Sequence, residues 1–186
     1  MILTDMFFPS VKHGWRKFGG VVTMMDAWSR FVGAYAVERK TKGLVKKAME
    51  RFMRDFTSHG HLPKIILMDQ GSDLVAAKDV IEAYRTKPGQ LVFYSKVGKP
   101  VQLVEQTQAQ IQRRMAVFRT SGLTDDASSI LADISISINN QKRPDRGNLT
   151  PIQLLKLLLD CERDVRREER DTGNQGPEAA VPRQPR

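Results

Sequence analysis

Three carboxylates stand out for the settings in which the sequence puts them. Asp5 interrupts the apolar run MILTDMFF, Asp69 follows the run Ile65-Ile66-Leu67-Met68 and precedes Gln70-Gly71, and Glu105 follows Val101, Leu103 and Val104. A carboxylate held at the edge of a core is costly unless something compensates its charge. Two that converge repel each other unless a divalent cation lies between them. A third, approaching on a helix, would complete an oxygen-rich site suited to Mg²⁺ or Mn²⁺. Asp69 also has a plainer reading, since Asp-x-Gly is common turn chemistry and an Asp there can cap a turn or helix.

The elements that would carry these residues follow from pattern. Met1–Phe8 reads as a strand ended by Pro9. A second strand covers Phe18–Asp26, a tight turn Ala27–Ser29, and a third strand Arg30–Glu38, with the alternation of a hairpin partner. Thr41 is placed to cap a helix to about Ser58, with Leu44, Val45, Ala48, Phe52 and Phe56 on one face. Lys64–Met68 is a fourth strand, Ser72 or Asp73 to Tyr84 a helix, and Gln90–Tyr94 a fifth strand. Helices follow over about Val101–Arg119 and Thr124–Asn139, then a basic loop Asn140–Asn148, then a helix started by Thr150-Pro151. An antiparallel three-strand meander leading into alternating strands and helices predicts an α/β domain. Its sheet would be mixed and five-stranded, with flanking helices and the first and fourth strands side by side. Residues 1–162 form that domain, and 163–186, charge-dense and then rich in Gly, Pro and Gln, read as a disordered tail.

Composition narrows the classes further. The 186 residues suit one domain with a real core. No apolar run approaches the roughly 20 residues that span a bilayer, and MILTDMFF has neither the basic lead nor the cleavage site of a signal peptide. Cys161 is the single cysteine, which excludes an internal disulfide and a multi-cysteine zinc site. The net charge is +9, and residues 1–100 carry 17 basic against 9 acidic side chains, so a polyanionic partner fits.

The carboxylates gain specificity from their spacing. With 35 residues between Asp69 and Glu105, the set Asp5, Asp69, Glu105 resembles the D,D-35-E signature of retroviral and retrotransposon integrase core domains. MMDAWSRFVGAYAVERKT resembles that family's second-to-third strand hairpin. LPKIILMDQGSDL resembles its P-x-x-I-x-x-D-x-G-x-E/D-F block, and NLTPIQLL its Thr-Pro motif. The resemblance covers residues 1 to about 158. It departs at Gln70, where the family has Asn, at Leu74, where it prefers Phe, and at Met6-Phe7, where the pair is usually more polar. Ala109 and Gln112 stand where relatives carry DNA-contacting residues, and Arg113 and Arg114 follow directly. Counterparts of the family's His/Cys zinc domain and C-terminal β-barrel are not legible.

What the resemblance implies is an RNase H-like fold and an integrase-type polynucleotidyl transferase with nuclease activity. It would process DNA ends and transfer strands for a mobile or viral element. Asp5, Asp69 and Glu105 would hold two Mg²⁺ (or Mn²⁺) ions and no small-molecule cofactor would be needed. The partners would be element ends and target DNA, contacted by Lys96, Lys99, Gln108, Arg113 and Arg114. Homo-oligomerisation and an intracellular place, nuclear or virion-associated in a eukaryote, with no membrane contact, would follow. Two alternatives stay open: a decayed integrase fold that binds DNA or protein, and a plain nuclease of the same superfamily.

Other polar residues read more simply. Asp26 suits a turn cap that can pair with Arg30, and the His59-x-His61 pair lacks a third metal ligand. Cys161, on a leucine-rich helix without a His partner, reads as packing or surface.

Overall fold

The computed structural model describes residues 1–8, 19–39, 41–59, 65–68, 91–94, 102–120 and 126–173. Its strands are β1 (Ile2–Phe7), β2 (Gly20–Asp26), β3 (Val32–Val37), β4 (Ile65–Met68) and β5 (Leu91–Tyr94). Its helices are α1 (Lys42–Ser58), α2 (Gln102–Thr120), α3 (Ala127–Asn139) and α4 (Pro151–Gly173), with a 3₁₀ turn at Pro144–Arg146. The helix predicted between Ser72 and Tyr84 lies outside the described residues.

These strands form one mixed sheet in the order β3-β2-β1-β4-β5. β1, β2 and β3 run antiparallel as a meander, while β4 pairs parallel to both β1 and β5. Alternation along β1 divides the core between two faces. Ile2 packs with Val22, Met24, Ile66 and the α1 residues Val45, Met49, Phe52 and Phe56. Leu3 and Phe7 pack with Val21, Met25, Val104, Ile111 and the α3 residues Leu131 and Ile134. Helices therefore cover both sides, as a sheet with parallel strands requires.

α1 starts where Thr41 ends an extended residue, although the Thr41 side chain makes no capping bond. Its apolar stripe holds it: Phe52 and Phe56 stack at 5.6 Å, and Phe31, just before β3, packs obliquely on both. Gly33 makes that approach feasible, because a Cβ there would lie 2.6 Å from Phe52 Cδ2. At the β2–β3 turn, Asp26 is buried and its Oδ2 accepts from both the backbone N–H and the hydroxyl of Ser29, each at 2.8 Å. It caps the turn through Ser29, while Arg30 adopts a left-handed φ of 64°.

Two sequence expectations are corrected. The helix expected from Thr124 begins at Ala127, because extended Asp126 is the cap and its carboxylate accepts from the Ser128 and Ser129 N–H groups. A carboxylate taking two orphan donors at a positive helix end is the stronger start signal. The tail expected from residue 163 is helical as far as Gly173, continuous with the Pro151 start. Its Arg, Glu and Asp residues are charged, but Arg and Glu are good helix formers, and Asp160 and Arg163 meet across one turn at 3.8 Å. Residues 174–186 lie outside the described residues. Cys161 is exposed on this helix.

The edge of the sheet is closed in a way the strand pattern does not announce. Asn139, last residue of α3, accepts from Val32 N–H with Oδ1 and donates to Val32 C=O with Nδ2, both at 2.8 Å. Ser135, one turn earlier, accepts from Ala34 N–H at 3.1 Å. Side chains thus supply the hydrogen bonds that a further strand would otherwise make to β3.

Candidate active site

β1 carries Asp5 half-buried near its end, on the face covered by α2 and α3. Asp5 Oδ1 accepts from the N–H of Met6 at 2.7 Å, and Oδ2 accepts from Nε2 of Gln108 at 3.0 Å. The local bond holds the carboxylate along its own strand, and the long-range bond fixes it against a helix.

α2 reaches Asp5 because its inward stripe, Val104, Gln108, Ile111 and Met115, is buried at helical spacing. Gln108 is the one polar member, 7% exposed. A buried amide needs a partner, and Asp5 supplies it. Gln108, expected to contact DNA, is therefore turned to the carboxylate. The signal that could have found it is a glutamine occupying an apolar position of the stripe. Thr107, beside it, donates its hydroxyl to Leu103 C=O at 3.0 Å and approaches Met25 Sδ at 3.2 Å, which further seats α2 on β2.

Glu105 lies one turn before Gln108, exposed in the first turn of α2. A carboxylate there sits favourably at the positive end of the helix. The parallel ladder between β1 and β4 runs from Ile2↔Ile66 to Thr4↔Met68. In the sequence, Asp5 follows Thr4 and Asp69 follows Met68. Asp69, Lys96 and Lys99 lie outside the described residues.

The two arginines of α2 differ. Arg113 is exposed. Arg114 is half-buried and donates to Ser137 Oγ at 2.5 Å and to Gln141 Oε1 at 2.8 Å, tying α2 to the end of α3. His59 ends α1, packs on Phe31 at 5.3 Å and bonds the carbonyl of Asp55 through Nδ1, so it acts as a helix-end residue. His61 lies outside the described residues.

The donor chemistry near Asp5 suits a hard cation. Asp5 supplies carboxylate oxygens, bonded by the Met6 N–H and by Gln108 Nε2. Thr23, opposite Asp5 in the β1–β2 ladder, has a buried hydroxyl oxygen without a hydrogen-bond partner. Among the described residues no three His, Cys, Asp or Glu side chains group as metal ligands. No described helix is long and apolar enough to cross a membrane.

No protein-family model and no curated protein matches the sequence. Among solved structures, the chain is similar to the catalytic core domain of BIV integrase, with a TM-score of 0.61 and 18% identity over 88% of this chain and 95% of that one. At that identity the likeness is one of fold: a mixed α/β sheet of RNase H-like type with flanking helices.

Proposed function

We propose that this chain is an integrase-type polynucleotidyl transferase that processes DNA ends and joins them to target DNA. In this reading Asp5, Asp69 and Glu105 hold two Mg²⁺ or Mn²⁺ ions. One observation carries it: on a fold shared with an integrase core, Asp5 is bonded through Gln108 to the helix that bears Glu105, at the end of the β1–β4 ladder. Carboxylate oxygens are the donors such ions prefer.

Ions held by Asp5, Asp69 and Glu105 would supply activation of the attacking oxygen and stabilisation of the leaving one. The residues do the positioning. Gln108 and the Met6 N–H each bond one oxygen of the Asp5 carboxylate and so orient it. Glu105, in the first turn of α2, would supply the third carboxylate. Arg113, with Lys96 and Lys99, takes DNA phosphates, and the protein works as a homo-oligomer on element ends and target DNA.

The test is Asp69→Asn, assayed with a short duplex end and Mg²⁺. Asn keeps the size and turn chemistry of Asp but not the anion. Loss of both cleavage and joining, with unchanged DNA binding and melting, is the expected result. Full activity would return Asp69 to a turn role. A parent protein that cuts without joining would be a plain nuclease, and one that binds without cutting would be a binding module.

A further inference from the structure

On a different flank of α2 from Gln108, three arginines converge. Arg30 lies on the β2–β3 turn, and Arg143 and Arg146 bracket the 3₁₀ turn before α4. Arg30 and Arg143, with Gln106, Thr107 and Gln110 of α2 and Asp145, line a cleft of about 250 Å³. That volume exceeds what a phosphate group needs.

We propose that this cleft is a site for a phosphate-class oxyanion, filled by a backbone phosphodiester of bound DNA. Three observations carry it. First, Arg30 Nε is shut off from solvent and has no hydrogen-bond partner, an unusual state for a guanidinium donor beside a cleft. Second, the positive charge is under-compensated among the described residues. The carboxylate of Asp26 is engaged by Ser29, and Asp145 is an exposed residue shared between Arg143 at 3.2 Å and Arg146 at 3.9 Å. Burial first, then the charges of Arg146 and Arg143, hold the pKa of Arg30 below its ordinary value, and Asp145 and Asp26 only partly offset this. Third, Arg30 is held with φ at 64°, where a β-carbon is unfavourable, so the turn fixes its backbone in a conformation that glycine or asparagine would adopt more readily. A guanidinium fork matches the oxygens of phosphate, and the amide groups of Gln106 and Gln110 can add neutral donors.

The DNA assignment rests on the function proposed above; the oxyanion chemistry does not. The test uses Arg30→Asn, which suits the left-handed backbone, and Arg143→Gln, each checked for an unchanged melting temperature. The Arg30 Nε–H resonance of the parent is followed by NMR during titration with inorganic phosphate and, separately, with a 20-base-pair duplex. A shift with both probes is expected. The slope of log affinity for the duplex against log salt should also fall by about 1 in the double variant. A shift with phosphate but not with duplex would make the site one for free phosphate and overturn the DNA assignment. No shift with either probe would overturn the site. If the parent binds no duplex at all, the nucleic-acid function fails, while the phosphate titration still decides the cleft.

Discussion

Gln108 donates to Asp5 Oδ2 at 3.0 Å, joining a helix to the central strand across 103 positions of sequence. A hydrogen bond to a carboxylate favours its charged form and fixes its orientation. Gln108→Leu keeps the buried stripe apolar but removes the donor. Outer-shell partners of metal ligands typically contribute 10- to 100-fold to metal affinity or activity. The expected result is a rise of that order in the Mg²⁺ concentration that half-activates DNA cleavage, with melting near that of the parent. An unchanged Mg²⁺ dependence would confine Gln108 to packing.

Asn139→Leu addresses the edge of the sheet. It leaves the N–H and C=O of Val32 without the partners that Asn139 provides. An unsatisfied buried group costs about 1–3 kcal/mol, so thermal melting should fall substantially. Ser135→Ala removes one bond, to Ala34 N–H, and should fall by less. Equal effects from the two variants would mean that the edge is closed by packing alone.

Gly33→Ala should be destabilising for a steric reason. The added Cβ would lie 2.6 Å from Phe52 Cδ2 and 2.8 Å from Tyr35 Cε2. Overpacking of this kind costs about 1–3 kcal/mol. Phe52→Leu in the same chain should recover part of the loss in a double-mutant cycle. Strictly additive losses would place the strain elsewhere.

Tyr35 ties stability to alkaline pH. Its hydroxyl donates to Asp55 Oδ2 at 2.8 Å, and burial, then the charge of Asp55, raise its pKa above the ordinary 10.0. A raised folded pKa contributes stability that is complete below the unfolded value and is lost as pH climbs beyond it. Melting temperature should therefore decline above about pH 10, and less steeply in Tyr35→Phe. Ultraviolet titration of the folded protein should show one of its three tyrosines resisting ionisation at pH 11. Simultaneous ionisation of all three without unfolding would contradict the burial argument.

What the sequence by itself determined is what local pattern encodes. Alternation marks β1, β2 and β3, and the 3.6-residue stripe of Val45, Ala48, Phe52 and Phe56 marks α1. The hairpin order makes β1 and β4 neighbours, so Asp5 was legible as a residue on a central strand. Helix ends were less legible. Asp126 outcompetes Thr124 because its carboxylate takes two N–H groups, and the charge-dense residues after 162 extend α4 because Arg and Glu favour helix regardless of burial. Only the tertiary structure decided which polar residues face inward. Gln106, Gln108 and Gln110 look alike along the chain, yet Gln108 is buried against Asp5, Gln110 reaches Gln141 at 3.3 Å, and Gln106 is exposed beside the arginine cleft. Asn139 on Val32, Arg114 on Ser137 and the meeting of Arg30 with Arg143 likewise depend on segments brought together from distant parts of the chain. Side-chain type and period say that a group can make a hydrogen bond. Its partner is set by the long-range packing of the apolar stripes beside it, and no local window of sequence contains that packing.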